Sequence, residues 1–294
     1  MKKKILLTGS SGFIGNSLTI NLLKQKYEIY VILKNVKKNK LLAGNIKKKF
    51  KNYKPIFINN TYEIEKKISN IKINIVVNLA SKYLRSHDFK KMFDLINSNI
   101  LFTTAVLEAL PKKNLKKYIN LSSVMMHKNS EEYHPQNLYA ATKKGFQDIL
   151  RYYELSYKNI KFYNLFLHDI YGENDKRNKI IHTIIDKHRR RQYVKIFSKH
   201  LSLNLLNVKD VINAINLMIS KKIKTGQYII KSKKFINLLK LINNTNKKLK
   251  KKIQYKVLNN KIENQIKKKI KILPNWKQNF FIEKDLIEYL DENN

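Results

Sequence analysis

The stretch ILLTGSSGFIG at residues 5–15 decides the fold of this chain. A short apolar run leads directly into three glycines and then into an amphipathic segment over residues 18–23. This order is typical of the first crossover of a dinucleotide-binding sheet, in which Gly9 allows a tight turn, Gly12 lets the backbone approach a pyrophosphate, and Gly15 lets the helix pack on the sheet. The free N–H groups at the helix start then face the phosphates. A glycine triplet alone also occurs in ordinary turns.

Short apolar runs alternate with helix-period segments over the first half of the chain. This alternation predicts an α/β fold with a doubly wound parallel Rossmann sheet, whose ligands bind beyond the carboxyl ends of the strands. The predicted strands are 3–8, 28–33, 56–58, 73–79, 117–121 and 161–166, and the longest predicted helices are 89–110 and 139–157.

The regular alternation weakens in the second half of the chain. We predict that residues 1–170, joined by a returning segment 201–221, form the dinucleotide-binding Rossmann domain. Residues 171–200 and 222–294 are predicted to form a smaller, discontinuous substrate-binding domain. No internal repeat and no Pro- or Ser-rich linker separates the two parts.

Composition excludes several kinds of site. The chain has 294 residues, 43% of them hydrophobic, which suffices for a sizeable core. It has no cysteine, so disulfides, thiolate metal sites and cysteine nucleophiles are excluded. Its seven histidines show no paired spacing, and we expect no metal. No apolar run is long enough for a signal peptide or a membrane span, so a cytoplasmic protein with no membrane partner is expected.

A formal net charge of +40 raises the question of nucleic-acid binding. The lysines are spread along the whole chain rather than gathered in one stripe, so we interpret them as solvated surface. We expect no dedicated nucleic-acid partner, although polyanions should retain the protein non-specifically.

The segment YAATK places Tyr139 and Lys143 four residues apart on one helix face. The ammonium of Lys143 is expected to lower the pKa of the Tyr139 phenol and so make it a general acid or base. In so lysine-rich a chain this spacing also arises by chance on the surface. The catalytic interpretation of Tyr139 and Lys143 is supported by Ser123, which ends a predicted buried strand and could bind the same substrate oxygen.

In this combination the chain resembles the extended short-chain dehydrogenase/reductase superfamily, and within it the NAD-dependent epimerase/dehydratase family that acts on nucleotide sugars. The resemblance extends over nearly the full length, in family order. It rests on TGSSGFIG (8–15), NLAS (78–81), LSS (121–123), YAATK (139–143), DIYG (169–172), NVKDV (207–211) and LPNWK (273–277).

The resemblance implies a role for each matching residue. Ser123, Tyr139 and Lys143 would be the catalytic triad, with Lys143 also holding the nicotinamide ribose. Asn60 falls where the family often has an adenine-contacting Asp. The helices that contain residues 89–110 and Tyr139 commonly pair subunits, so a homodimer is implied. The remaining cofactor-binding residues would be Gly9, Ser11, Gly12, Phe13, Ile14, Gly15, Leu79, Ala80 and Ser81.

Departures from the family pattern bear on the cofactor. NAD-preferring members usually carry a carboxylate at the end of the second strand, whereas this chain continues Leu33-Lys34-Asn35. Lys34, aided by Asn35 or Lys37, could accept a 2′-phosphate. We therefore favour NADP(H) over NAD(H).

The residues after Ser123 bear on the reaction. Val124-Met125-Met126 cannot provide the carboxylate pair of a sugar 4,6-dehydratase, and the lack of cysteine excludes the Cys/His type of epimerase-reductase. A 4-ketoreductase and an NAD-dependent 4-epimerase remain. The segment 169–179 is most similar to the CDP-abequose and CDP-paratose synthase type, which reduces nucleotide-linked 4-keto-6-deoxyhexoses, and we favour the reductase.

The substrate is expected to be a nucleotide sugar bound by Ser123, Met125 and Arg177. The guanidinium of Arg177 is suited to two-pronged binding of a diphosphate, although a solvated loop arginine is equally compatible with the sequence. A third possibility is a non-catalytic dinucleotide sensor or RNA-binding protein of the same fold, which would not need Ser123, Tyr139 and Lys143 together.

Overall fold

Strands and helices alternate along the chain. A computed structural model describes residues 3–34, 36–127, 132–173, 175–258, 260 and 269–291. Its strands are β1 (Lys4–Thr8), β2 (Glu28–Leu33), β3 (Tyr53–Phe57), β4 (Ile75–Asn78), β5 (Lys117–Ser123), β6 (Lys161–Leu167), β7 (Asp169–Tyr171), β8 (Val194–Ile196), β9 (Ser202–Leu203), β10 (Leu205–Asn207), β11 (Gly226–Ile230), β12 (Ile236–Asn237) and β13 (Tyr255–Val257). Its α-helices are α1 (Phe13–Lys24), α2 (Val36–Lys49), α3 (Glu63–Ile68), α4 (Phe89–Ile96), α5 (Phe102–Ala109), α6 (Leu138–Ser156), α7 (Ile180–Arg189), α8 (Val208–Ser220), α9 (Leu238–Lys248) and α10 (Ile282–Asp291). A π-helical turn (Asn97–Leu101) joins α4 to α5, and a 3-10 turn (Val124–Met126) follows β5.

The main sheet has seven strands in the order β11-β6-β5-β4-β1-β2-β3, and all neighbours are parallel. From β1 the chain winds to one side through β2 and β3, and to the other through β4, β5, β6 and β11. The predicted doubly wound α/β sheet is thereby confirmed. The winding reverses between β1 and β4, and the crevice beyond the carboxyl ends of such strands is where these sheets bind ligands.

Both faces of this sheet are buried, which is why its strands are apolar at nearly every position. On one face, α1 and α8 pack through Leu18 and Ile215, which are fully buried. On the other face, α5 and α6 pack through Val106 and Phe146, also fully buried. Each such side chain contributes about 1.5–3 kcal/mol by leaving water. Helix α6, which carries Tyr139 and Lys143, is therefore fixed against the sheet.

Three elements differ from the predicted ones. The third strand covers Tyr53–Phe57 rather than 56–58. The predicted helix 89–110 is divided by the π-helical turn. Residues 226–230, which the sequence placed with the substrate side, form the edge strand β11 in register with β6. The short segment GQYII at residues 226–230 lies between lysine-rich segments and does not show which sheet it joins, because only the tertiary contact decides that.

A separate core lies among α7, α9 and α10, where Ile184, Leu241 and Leu286 are buried. Between α7 and α9 the chain returns to the main body as α8, whose first turn contains Asp210. Its carboxylate accepts hydrogen bonds from the N–H groups of Asn279 at 2.9 Å and Phe280 at 3.0 Å. No helix in the described residues is both long and apolar enough to cross a membrane.

Candidate active site

The turn after β1 has no room for larger residues. Gly9 has a left-handed φ of +68°, and a Cβ on it would lie 2.7 Å from the Ala80 nitrogen. A Cβ on Gly15 would lie 2.1 Å from the Gly9 carbonyl oxygen. The first glycine therefore provides the conformation, and the third lets α1 approach the turn.

The start of α1 presents unpaired donors. In the described part of the chain no side chain caps this helix, and its first intrahelical bond runs from Asn16 N to the Gly12 carbonyl at 2.8 Å. The N–H groups of residues 13–15 precede that bond. The Ser10 hydroxyl is buried and has no partner among the described residues. A glycine-lined cradle with free N–H donors and an orphaned hydroxyl fits the pyrophosphate of a dinucleotide.

A row of buried polar side chains crosses the sheet beside this turn. The Thr8 hydroxyl donates to Asn78 Oδ1 at 2.6 Å and accepts from Ala80 N at 3.1 Å. Asn78 Nδ2 donates to Asn120 Oδ1 at 3.0 Å, and Asn120 Nδ2 donates to Asn164 Oδ1 at 2.8 Å. We call Thr8, Asn78, Asn120 and Asn164 the amide row. It fixes the loop that follows β4, where Leu79, Ala80 and Ser81 lie.

Asn99, in the π-helical turn, ties that loop to α6. Its Oδ1 accepts from Lys82 N at 2.7 Å, and its Nδ2 donates to Lys82 O at 3.1 Å and to the Thr142 hydroxyl at 2.9 Å. Thr142 lies in the same helical turn as Lys143, so Asn99 aligns the loop with α6. The sequence analysis missed Asn99, since nothing in its neighbours marks a widened helical turn.

Two of the proposed catalytic residues, Ser123 and Tyr139, lie close to each other. Asn137 caps α6 by accepting from Ala140 N at 3.0 Å, and this cap places Tyr139 in the first turn. The phenol of Tyr139 lies within hydrogen-bonding reach of the Ser81 and Ser123 hydroxyls. Ser123, the last residue of β5, also accepts a hydrogen bond from Met125 N at 3.2 Å.

Burial controls the protonation of this cluster. It raises the pKa of Tyr139, and the hydrogen bonds from Ser81 and Ser123 offset only part of that rise. Burial also lowers the pKa of Lys143 to about 8, and no acidic side chain of the described chain offsets this. The expected lowering of the Tyr139 pKa by Lys143 is thus wrong in direction, because the spacing along a helix shows proximity but not how little water reaches the phenol.

The residues expected at the adenosine end make separate contacts. The ammonium of Lys34 rests 4.0 Å from the centre of the Phe102 ring, and burial lowers its pKa. Asn60 is exposed and accepts a hydrogen bond from Glu63 N at 3.3 Å. Asn35 lies outside the described residues.

On the substrate side, Met125 is half-buried beside Ser123. The guanidinium of Arg177 is engaged within its own loop. Its Nε and Nη2 donate to the two oxygens of Asp175 at 2.7 and 2.8 Å, and Nη2 also donates to the Ile170 carbonyl at 2.8 Å. Its carbon lies 4.5 Å from the centre of the Phe13 ring.

A second charged residue of the same loop, Lys179, contacts the ring of Tyr83, which in turn packs against Tyr139. Tyr83 packs edge-on against Tyr139, with ring centres 5.0 Å apart and planes at 84°. The Lys179 ammonium lies 4.8 Å from the centre of the Tyr83 ring and 3.2 Å from an Asp169 oxygen. Sequence reasoning did not single out Tyr83, because its partners lie in distant segments.

Comparisons with known proteins identify the family and the fold of this chain. Residues 5–230 match the sequence profile described as NAD dependent epimerase/dehydratase family. A CDP-abequose synthase of Yersinia pseudotuberculosis is 30% identical over 227 residues, which are 76% of this chain and 75% of that protein. A CDP-abequose synthase of Salmonella muenchen is 26% identical over 229 residues, 78% of this chain and 74% of that protein. The solved UDP-glucuronic acid 4-epimerase of Bacillus cereus, in complex with UDP-glucuronic acid and NAD, shares the fold, with a TM-score of 0.80 and 22% identity over 98% of this chain and 99% of that one.

Proposed function

We propose a function from the finding that the chain belongs to the NAD dependent epimerase/dehydratase family. The protein is an NADP(H)-dependent enzyme that reduces the 4-keto group of a nucleotide-linked 6-deoxyhexose or hexose. Its similarity to CDP-abequose synthases over three quarters of the chain supports a nucleotide-sugar substrate. The base and the sugar of that substrate are left open.

The proposal depends chiefly on the phenol of Tyr139. A phenol of ordinary pKa already keeps its proton at neutral pH, and burial raises the pKa of Tyr139 further. A reductase needs this form, because the oxygen of the keto group must receive a proton, whereas the oxidising half of an epimerase begins with a base. The Ser123 hydroxyl, within reach of the same phenol, would hold that oxygen in place.

The other residues would hold the dinucleotide. The N–H groups at the start of α1 and the Ser10 hydroxyl suit its pyrophosphate, and the Lys143 ammonium suits the ribose hydroxyls. When bound, a reduced nicotinamide supplies the hydride for the keto carbon. The absence of a carboxylate after Leu33 supports NADP(H), and the Lys34 ammonium would exchange its contact with Phe102 for a 2′-phosphate. A tighter Kd for NADPH than for NADH, lost in Lys34→Met, would support this preference.

The central experiment is the oxidation of added NADPH in the presence of 4-keto-sugar nucleotides. Tyr139→Phe should lower kcat by about 10²–10⁴-fold with the NADPH Kd unchanged, while Tyr152→Phe, an exposed tyrosine of the same helix, should leave kcat unchanged. Normal turnover in Tyr139→Phe would contradict the proposed acid. Cofactor retained through purification, with interconversion of two sugar nucleotides and no net oxidation, would identify an epimerase. Salt-sensitive RNA binding with no activity on any keto sugar would instead favour a non-catalytic protein.

On the substrate side, Met125 would line the sugar site beside Ser123. Arg177 would contact the diphosphate with its remaining nitrogen, Nη1, for which the described residues provide no hydrogen-bond acceptor. Loss of CDP and UDP binding in Arg177→Met is the direct test of that contact.

We further propose a homodimer formed through α4, α5 and α6. Large apolar side chains are exposed on these helices, among them Phe89, Phe93, Tyr152 and Leu155. Covering such a patch would remove its apolar surface from water. Phe93→Lys should convert a dimer to a monomer in light scattering, and a mass unchanged by this substitution would place the interface elsewhere.

A further inference from the structure

The side chain that opens α1 is enclosed by the loop after β7. Phe13 is the first residue of α1, directly after the glycine turn. The Arg177 guanidinium lies over its ring at 4.5 Å. A Cβ on Gly172 would come within 2.7 Å of Val208 Cγ1 and 3.3 Å of Phe13 Cζ, so the missing side chain of Gly172 makes room for both side chains.

Arg177 is itself fixed in this position. Three hydrogen bonds to Asp175 and the Ile170 carbonyl hold the plane of its guanidinium. Asp175 is only 5% exposed, so removing its partner would leave a buried carboxylate uncompensated. These hydrogen bonds therefore hold the guanidinium in one orientation against the Phe13 ring.

The consequence reaches the proposed pyrophosphate site. The N–H of Phe13 is among those that precede the first intrahelical bond of α1, and its direction is set by the backbone to which the clamped ring is attached. Donors that are arranged before a ligand arrives cost less entropy on binding. We infer that Arg177 is a positioning residue for the dinucleotide, which acts through Phe13. This inference depends on the proposed function only in that a nicotinamide dinucleotide must bind.

This role differs from the diphosphate contact proposed for Arg177 under its substrate-side function. The two roles predict that replacing Arg177 weakens the binding of different ligands. If Arg177 acts through Phe13, its replacement weakens every ligand that places a pyrophosphate on the turn. If it acts only on the nucleotide sugar, its replacement weakens CDP and UDP binding and leaves the dinucleotide unaffected.

The test is a binding measurement that needs no turnover. NADPH binding is followed by its fluorescence and ADP-ribose binding by calorimetry, in the wild-type chain, Arg177→Met, Phe13→Leu and the double variant. Arg177→Met should raise both Kd values by about three- to tenfold, the size of a partly desolvated cation–π contact. In the Phe13→Leu background the same change should have no further effect, because the ring through which it acts is gone.

Two control variants separate this role from general damage to the fold. Arg190→Met removes an exposed arginine that pairs with Asp186 at 3.0 Å on α7, and it should leave both Kd values unchanged. Arg177→Lys keeps a cation over the ring without the two-pronged pair and should recover part of the affinity. Thermal unfolding of each variant shows how much of it is folded, so that Kd values are compared per folded molecule.

Unchanged NADPH and ADP-ribose affinities in Arg177→Met, or losses that add fully to those of Phe13→Leu, would overturn the inference. Wild-type protein that binds neither NADPH nor NADH would contradict the proposed function and this inference together. Wild-type binding with an unaffected Arg177→Met would contradict the inference alone.

Discussion

The two sides of the candidate active site are built by different means. On the dinucleotide side, the turn between β1 and α1 consists of backbone and small residues, and Gly9 and Gly15 are required because no Cβ fits. On the substrate side, charged side chains of the loop after β7 form ion pairs, Arg177 with Asp175 in the same loop and Lys179 with Asp169 of β7.

This difference indicates how freely the residues of each side can change. Steric limits on the backbone are local, so the dinucleotide side tolerates almost no change of residue. Ion pairs and cation–π contacts depend on partners from several segments, so the substrate side can change its residues while the sheet beneath stays the same.

Gly15→Ala is expected to have the largest effect. Its Cβ would lie 2.1 Å from the Gly9 oxygen, so α1 must move away from the turn. We expect a loss of more than about 3 kcal/mol in the free energy of unfolding, or no detectable NADPH binding. Gly44→Ala in α2 is the matched control, because nothing lies within 4 Å of its new Cβ. It should stabilise the chain by about 0.5–1 kcal/mol in urea unfolding. Similar results for both variants would refute the steric account.

Lys143→Met should stabilise the protein while it abolishes activity. Burial lowers the pKa of Lys143 from its ordinary value of 10.5 to about 8. Between these pH values the unfolded chain binds more protons, so wild-type stability rises with pH, and below about pH 8 the full cost is present. The variant should gain about 3 kcal/mol at neutral pH, and the gain should shrink towards pH 10.5.

Urea unfolding at several pH values measures this effect. Lys144→Met, which removes the neighbouring lysine that pairs with Asp148, is the control and should show no such pH dependence. Lower stability of Lys143→Met than of the wild type at neutral pH would mean that the ammonium has a stabilising partner.

Asn120→Leu breaks the amide row. This row extends from Thr8 at the end of β1 to Asn164 in β6, the strand that precedes β7 and the substrate-side loop. The substitution leaves Asn78 Nδ2 and Asn164 Oδ1 without the partners that Asn120 provides. We expect a loss of about 2 kcal/mol in unfolding free energy and weaker NADPH binding, because Asn78 no longer orients Thr8. Unaltered NADPH affinity together with reduced stability would limit the row to a structural role.

Tyr83→Leu acts only on the substrate side. It removes the ring that packs edge-on against Tyr139 and should lower kcat about tenfold, the size of one aromatic pair. The NADPH Kd should stay unchanged. Tyr83→Phe keeps the ring and should retain most of the activity. Equal losses in both variants would assign the effect to the hydroxyl of Tyr83 rather than to ring packing.

The sequence predicted what local geometry determines. The glycine spacing, the alternation of apolar runs and the four-residue spacing of Tyr139 and Lys143 all follow from backbone periodicity, and the sheet and α6 formed as expected. The direction of the Tyr139 pKa shift was predicted wrongly, because it depends on burial. Asn99 and the pairing of Arg177 with Phe13 depend on contacts between distant segments, which no short pattern specifies.

Strand β11 has a consequence for how the molecule is made. Its partner β6 is synthesised long before it, and Ile229 of β11 is itself bridged by Ile272. A nascent chain that ends at Ser220 therefore exposes the unpaired edge of β6, a surface that invites pairing with other chains. Expression of residues 1–220 alone should give aggregates, so truncated versions intended for crystallisation need to extend beyond residue 272.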